Sequence, residues 1–189
     1  MNGPSRRIWL TGASSGIGAA LAEQLLQAGQ RLAVSARTVE PLQALAARYP
    51  EQVLVVPGDL GDSQQVRAIG QRIALHWGAL DTLIINAGTC EYVEVVDFQA
   101  AMVERVLRAN LLSASYCIEV ALPLLRAGHQ PHLVGIGSSV TYLPLPRAEA
   151  YGASKAGLRY LLEALRIDLA AEGIDVTLVS PGFVDTPLT

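Results

Sequence analysis

The sequence predicts an α/β fold, a doubly wound parallel sheet with helices on both faces. Two observations carry that prediction. Short β-branched runs alternate with longer segments of helical period. Several of the runs are apolar throughout, as strands covered on both faces tend to be. The first run is RIWL (7–10), and after it Ile17, Leu21 and Leu25 recur at helical spacing up to Gly29, at an expected helix C-terminus. LAVSA (32–36), VLVV (53–56) and TLIIN (82–86) supply the next three strands. Helical segments are expected around 98–126, where Pro123 should bend the chain, and around 151–172. HLVGIG (132–137) is the fifth strand. Leu158, Leu161, Leu162, Leu165 and Leu169 mark the last helix, Gly173 its end, and DVTLVS (175–180) the sixth strand. No repeat, low-complexity tract or linker interrupts this order, so residues 1–189 read as one domain.

Composition narrows the function. Hydrophobic residues make up 51% of the chain and charged residues 16%, which describes a chain with a sizeable core. A net charge of −3 offers no basic field for nucleic acid or an acidic membrane surface. No apolar run approaches the roughly 18 residues of a membrane span, and MNGPSRRIWLTG lacks the apolar stretch of a signal peptide. Cys90 and Cys117 have neither metal-site nor disulfide spacing, which points to a reducing, cytoplasmic compartment. His76, His129 and His132 are scattered and read as structural or exposed.

Chemistry enters with TGASSGIG (11–18), directly after the first strand. Gly12 would permit a tight turn, Gly16 a close approach of backbone to a pyrophosphate, and Gly18 close packing of helix on sheet. The helix N-terminal amides would then face the phosphates. Further on, YGASK places Tyr151 and Lys155 four residues apart, on one face of a helix. Free phenol and ammonium groups titrate near 10, so neither is poised for proton transfer at neutral pH. An adjacent cation would lower the phenol and make it a proton donor or acceptor.

Taken in order, TGASSGIG, NAG (86–88), Asn110, YGASK and SPGFVDT (180–186) resemble the short-chain dehydrogenase/reductase family, in its short-subunit branch. The resemblance runs from the first strand almost to the last residue and implies a Rossmann-type, NAD(P)-binding domain. It also implies an oxidoreductase that interconverts a carbonyl compound and an alcohol by hydride transfer, with Tyr151 as general acid and base. Lys155 would tune Tyr151, together with the charge of an oxidised nicotinamide, and also bind the nicotinamide ribose. Ser138 matches the family serine thirteen positions before the tyrosine and would hold the substrate oxygen; its neighbour Ser139 stays open. Asn110 matches an asparagine that anchors a water behind the lysine. The family pattern N-N-A-G appears here as Ile85-Asn86-Ala87-Gly88, which keeps Asn86, the usual support of the central strand.

Cofactor contacts implied by the resemblance include Ser14, Ser15 and Ile17 between the glycines, Asp59 and Leu60 near the adenine, and Asn86, Ala87 and Gly88. At the other end they include Pro181, Gly182, the backbone of Val184 and the hydroxyl of Thr186. After the second strand stands VSART, with Arg37 and no acid, so NADP(H) is expected over NAD(H). Cys90, Tyr92, Val140, Tyr142, Leu143, Pro144 and Phe183 would wall an apolar substrate pocket. Family members pair through the two helices around 98–126 and 151–172 into homodimers or homotetramers. They usually continue past the position of Thr186 for another helix pair and a closing strand, so the substrate lid and last strand are expected to be absent from these 189 residues. A nucleotide-binding regulatory protein on the same fold, without a competent substrate pocket, is the alternative.

Overall fold

Alternating apolar side chains build the sheet. In the computed structural model, which describes residues 5–186, β1 (Arg7–Thr11) sends Ile8 and Leu10 to one face and Trp9 to the other, all three buried. The strands β2 (Arg31–Ser35) and β4 (Thr82–Ile85) flank it, and their side chains divide in the same way. Beyond them lie β3 (Val53–Val55) on one side and β5 (His132–Ile136) and β6 (Asp175–Val179) on the other. All pairings are parallel, in the order β3-β2-β1-β4-β5-β6. The six expected strands are all present, within one residue at each end.

Helices cover both faces. The helices α1 (Gly16–Gln27) and α2 (Glu40–Arg48) pack Ala22, Leu26, Leu42 and Leu45 on the face of Ile8, Leu10, Leu32 and Val34. On the other face α3 (Ser63–Trp77), α5 (Ser113–Arg126) and α6 (Glu149–Ala170) bury Ile69, Ile73, Cys117, Ala121, Leu125, Leu158 and Leu162 against Trp9, Leu83 and Leu133. Contact is close enough that a Cβ at Gly135 would stand 2.1 Å from Leu162 Cδ1, so β5 admits α6 only through a bare backbone. Both glycines expected at helix ends close the last turn: Gly29 and Gly173 have φ of 81° and 68°, and the next residue's amide reaches back to Leu25 and Leu169.

The segment expected as one helix over 98–126 is divided. Helix α4 (Ala100–Leu107) passes through a wide π-helical turn (Arg108–Leu112) into α5, and α5 runs on past Pro123 to Arg126. Such a turn inserts one residue into the helical ladder and re-aims the side chains around it.

Because β1 is followed outward by β2 and β3, and the chain then returns to β4 on its other side, β1 and β4 form the switch point of the sheet. A crevice opens there at the carboxyl ends of the strands.

Candidate active site

The crevice starts from one hydroxyl. Thr11 ends β1 fully buried; its Oγ1 donates to the Ile84 carbonyl (3.2 Å) and accepts the amides of Asn86 (2.9 Å) and Ala87 (3.0 Å). Asn86 Nδ2 donates in return to the Thr11 and Gly12 carbonyls, at 3.0 and 3.1 Å. The turn after β1 and the turn after β4 are thereby bolted together. Gly18 packs onto that bolt: a Cβ there would lie 2.1 Å from the Gly12 oxygen and 2.5 Å from Asn86 Nδ2. At Gly12, with φ of 69°, a Cβ would come within 2.8 Å of Ala87 Cα.

Above the bolt lies a cleft of about 710 Å³. Its lining takes in Gly12, Ser14, Ser15, Gly16, Ile17, Arg37, Asp59, Leu60, Asn86, Ala87, Gly88, Ser138, Tyr151, Lys155, Pro181, Gly182, Val184 and Thr186. Two of the predicted catalytic and cofactor residues are not on its wall. Gly18 packs beneath it, and Asn110 stands behind it, fully buried. A smaller hollow of about 250 Å³ at the far end of β5 and β6, beside His132 and Arg166, holds none of these groups.

No side chain caps the N-terminus of α1, which opens onto the cleft, whereas the side chain of Asp62 caps α3 by accepting from the Gln64 and Gln65 amides. An uncapped N-terminus presents free donors and the positive end of the helix dipole, which suits a phosphate. Four cationic side chains and two carboxylates line the cleft: Arg37, Arg105, Arg108 and Lys155 against Asp59 and Glu91. This excess of cations in a chain of net charge −3 suits an anionic ligand. Arg37 is exposed and makes no hydrogen bond or ion pair among the described residues. Bare glycines, an open helix N-terminus and an unpaired arginine along one trough fit a dinucleotide phosphate.

At the other end Tyr151 and Lys155 rise from the first turns of α6. Lys155 is the chain's single lysine; the other thirteen of its fourteen basic residues are arginines. Only 4% exposed, it donates through Nζ to the Ile136 carbonyl at 2.8 Å. Burial pushes its pKa down to about 8. Its Nζ stands 5.8 Å from the Tyr151 ring centroid. The phenol does not follow the expected lowering. Burial raises its pKa most; a hydrogen bond with Ser138 lowers it, and Cys90 raises it further. Burial therefore sets the direction, and Lys155 directs its ammonium at the Ile136 carbonyl rather than the phenol.

Geometry separates the two serines. Ser138 faces Tyr151 in the cleft and accepts the Val140 amide at 3.2 Å, opening the short turn Ser139–Thr141. Ser139 is exposed outside the cleft lining, its amide bonded to the Pro181 carbonyl (2.9 Å).

Asn110 is tied to its surroundings through its side-chain amide. Its Nδ2 donates to the Thr89 carbonyl and to Ser154 Oγ, both at 2.9 Å, and its Oδ1 accepts the Thr89 amide at 2.7 Å. The side-chain amide is therefore committed to protein partners. Ser154 Oγ donates onward to the Tyr151 carbonyl at 2.7 Å, so Asn110 acts as a strut between the loop after β4 and α6. The expected apolar substrate wall is not assembled. Val140 is buried, while Tyr142, Leu143, Pro144 and Phe183 stand exposed and none of them lines the cleft. The Arg159 guanidinium stacks on Tyr142, 4.3 Å from its ring centroid. Reading the sequence missed Thr11, Ser154, Arg105 and Arg108. Thr11 and Ser154 could have been found as polar residues at otherwise apolar positions. No periodicity marks the two arginines, because the wide turn shifts the helix phase.

Among the described residues no helix is long and apolar enough to cross a membrane, and no cluster of metal-ligating side chains occurs. Residues 6–189 match the family model described as short chain dehydrogenase. An uncharacterised oxidoreductase of Mycobacterium tuberculosis is 33% identical over 190 residues, covering 97% of this chain and 75% of that protein. Among solved structures, a short-chain dehydrogenase from Streptomyces avermitilis superposes with a TM-score of 0.92 at 29% identity, covering 98% of this chain and 68% of that one. The Pseudomonas aeruginosa RhlG/NADP active-site complex superposes at 0.92 with 32% identity, covering 97% and 75%.

Lysine-selective nitrogen-15 labelling gives one side-chain resonance, and without ligand it should titrate near pH 8; a midpoint at the ordinary 10.5 would contradict the burial argument. The unfolded chain binds more protons between those two values, so stability should rise with pH across that window. A Lys155→Met variant should lack that rise in denaturant melts.

Proposed function

Because the chain belongs to the short-chain dehydrogenase family, we propose that it is an NADP(H)-dependent oxidoreductase interconverting a carbonyl compound and an alcohol. What supports this most is the span of one cleft, with unpaired Arg37 towards one end and Ser138, Tyr151 and Lys155 together at the other. Arg37 is suited to a ribose 2′-phosphate, since its fork of donors matches phosphate oxygens and no carboxylate follows β2 to repel them. The solved RhlG/NADP complex adds support. Ser14, Ser15, Gly16 and Ile17 are assigned to the pyrophosphate, Asp59 and Leu60 to the adenine end, and Asn86, Ala87 and Gly88 to the mid-cleft. Pro181, Gly182, Val184 and Thr186 are assigned to the nicotinamide side.

The nicotinamide, when bound, supplies or takes up the hydride. The chain handles the proton. Ser138 donates to the substrate oxygen and stabilises charge that develops there. Tyr151 gives its phenolic proton to that oxygen in reduction and recovers it in oxidation. Burial holds Tyr151 protonated without ligand, which suits a proton donor. Lys155, close to Gly88 and Ile136, offers its ammonium to the ribose and adds positive charge beside the phenol. Asn110 keeps both on register by bracing α6 against Thr89.

Association is proposed through the outer faces of α4, α5 and α6, as a homodimer or homotetramer. Tyr160 and Ile167, seven residues apart on α6, are each 77% exposed, on the side opposite buried Leu158, Leu162 and Leu169.

Arg37→Ala should weaken NADPH binding roughly tenfold or more and leave NADH unchanged, read by calorimetry; an unaltered ratio would remove the NADP(H) assignment. Tyr151→Phe should slow turnover of a ketone panel by roughly two to four orders of magnitude, with NADPH affinity retained. Rates near wild type would remove the proton-transfer role. Ile167→Glu should shift light scattering from dimer or tetramer to monomer, and a wild-type monomer at micromolar concentration would rule out the association.

A further inference from the structure

Two arginines of the cleft wall take no part in the chemistry proposed above. Arg105, Arg108, Ala109 and Ser113 line the cleft where α4 enters the wide turn. Arg105 is already engaged, through Nε and Nη2 bonds of 3.4 and 2.8 Å to Glu91. Arg108 is different. Among the described residues it has one side-chain partner, Glu104, at 3.2 Å one turn back on the same helix, and the two side chains are 50% and 72% exposed. Such a pair is weak and easily exchanged.

The stem of Arg108 lies over Gly61. A Cβ at Gly61 would stand 3.3 Å from Arg108 Cγ, 3.6 Å from its Cδ and 3.3 Å from Asp59 Oδ1. Any side chain there would press against the arginine, so the bare backbone lets it lie flat along the cleft rim. Its stem thus borders the part of the cleft lined by Gly58–Gly61, which continues to Ala36, Arg37 and Thr38. That part offers an acceptor in Asp59 and an apolar contact in Leu60, but no ring. Tyr151 is the one aromatic among the described lining residues and sits at the other end. A purine needs a flat surface to stack on, and the flat groups available here are the two guanidiniums.

We propose that Arg108 is a base-stacking residue: on ligand binding it exchanges Glu104 for the face of the adenine ring, while Arg37 deals with the 2′-phosphate. The inference rests on the dinucleotide reading of the cleft and adds a division of labour between Arg37 and Arg108. Arg108 would contribute equally to any adenine nucleotide; Arg37 would discriminate among them.

Isothermal titration calorimetry with NADPH, NADH and adenosine 5′-monophosphate tests this without reference to turnover. Arg108→Ala should weaken all three by a common factor of about five to ten, leaving the NADPH-to-NADH ratio as in wild type. Arg108→Lys, which keeps the charge but not the plane, should not restore binding. Glu104→Ala, a change at an exposed position, should leave all three affinities equal or tighter and serves as the variant least able to disturb folding. A loss confined to NADPH, full rescue by lysine, unchanged affinities in Arg108→Ala, or weaker binding in Glu104→Ala would each overturn the proposal. Wild-type protein that binds none of the three would overturn the dinucleotide reading together with it, whereas wild-type binding with a silent Arg108→Ala overturns the stacking role alone.

Discussion

A threonine hydroxyl and an asparagine amide hold the two central turns of this sheet together, and the cleft above depends on them. Thr11 Oγ1 accepts two amides from the turn after β4 and donates to the Ile84 carbonyl; Asn86 Nδ2 returns two bonds to the turn after β1. Each group is satisfied within the protein, so burying them carries little penalty. The arrangement leaves no room for a side chain at Gly12 or Gly18, where a Cβ would meet backbone and the Asn86 amide. The start of α1 therefore comes down onto the carboxyl edge of β1 with its amides open to the cleft.

From the same turn a second set of bonds reaches α6. Thr89 exchanges two hydrogen bonds with Asn110, Asn110 donates to Ser154, and Ser154 donates to the Tyr151 carbonyl. The π-helical turn at Arg108–Leu112 brings Asn110 inward while Arg108 and Ala109 stay on the cleft wall. Lys155 is placed by this bracing, with its ammonium on the Ile136 carbonyl. An arginine could not serve in its place. A guanidinium is broad and planar and keeps its proton, whereas this compact buried ammonium moves to a pKa of about 8. The chain uses arginine at every other basic position, so the lone lysine reflects a local requirement rather than a compositional habit.

Much of this was legible in the sequence because apolar period and glycine placement are local signals. TLIIN reads as a buried strand and is one in β4, since a parallel sheet with helices on both faces leaves no polar side to encode, whereas VLVV forms the edge strand β3 and is half-buried. The glycine turn, the NAG turn and YGASK were found for the same reason. What escaped is set by contacts distant in sequence. Asn110 stands out in the sequence only as a polar residue within a helix, and its side-chain partners lie 21 and 44 residues away. Ser138 and Ser139 are alike in sequence and are distinguished only by the direction of a short turn that exposes one and points the other at Tyr151. Arg108 joined the cleft through a change of helical phase that no apolar pattern records.

The account holds that one trough across the switch point receives a nicotinamide dinucleotide along its whole length. Hydrogen–deuterium exchange of the intact chain with and without saturating NADPH reads that trough directly. Protection should appear together in residues 12–18, 36–38, 58–61, 86–90 and 151–155 and leave α2 unchanged. Binding that protects none of these segments, or only those on one side of β1, would contradict it.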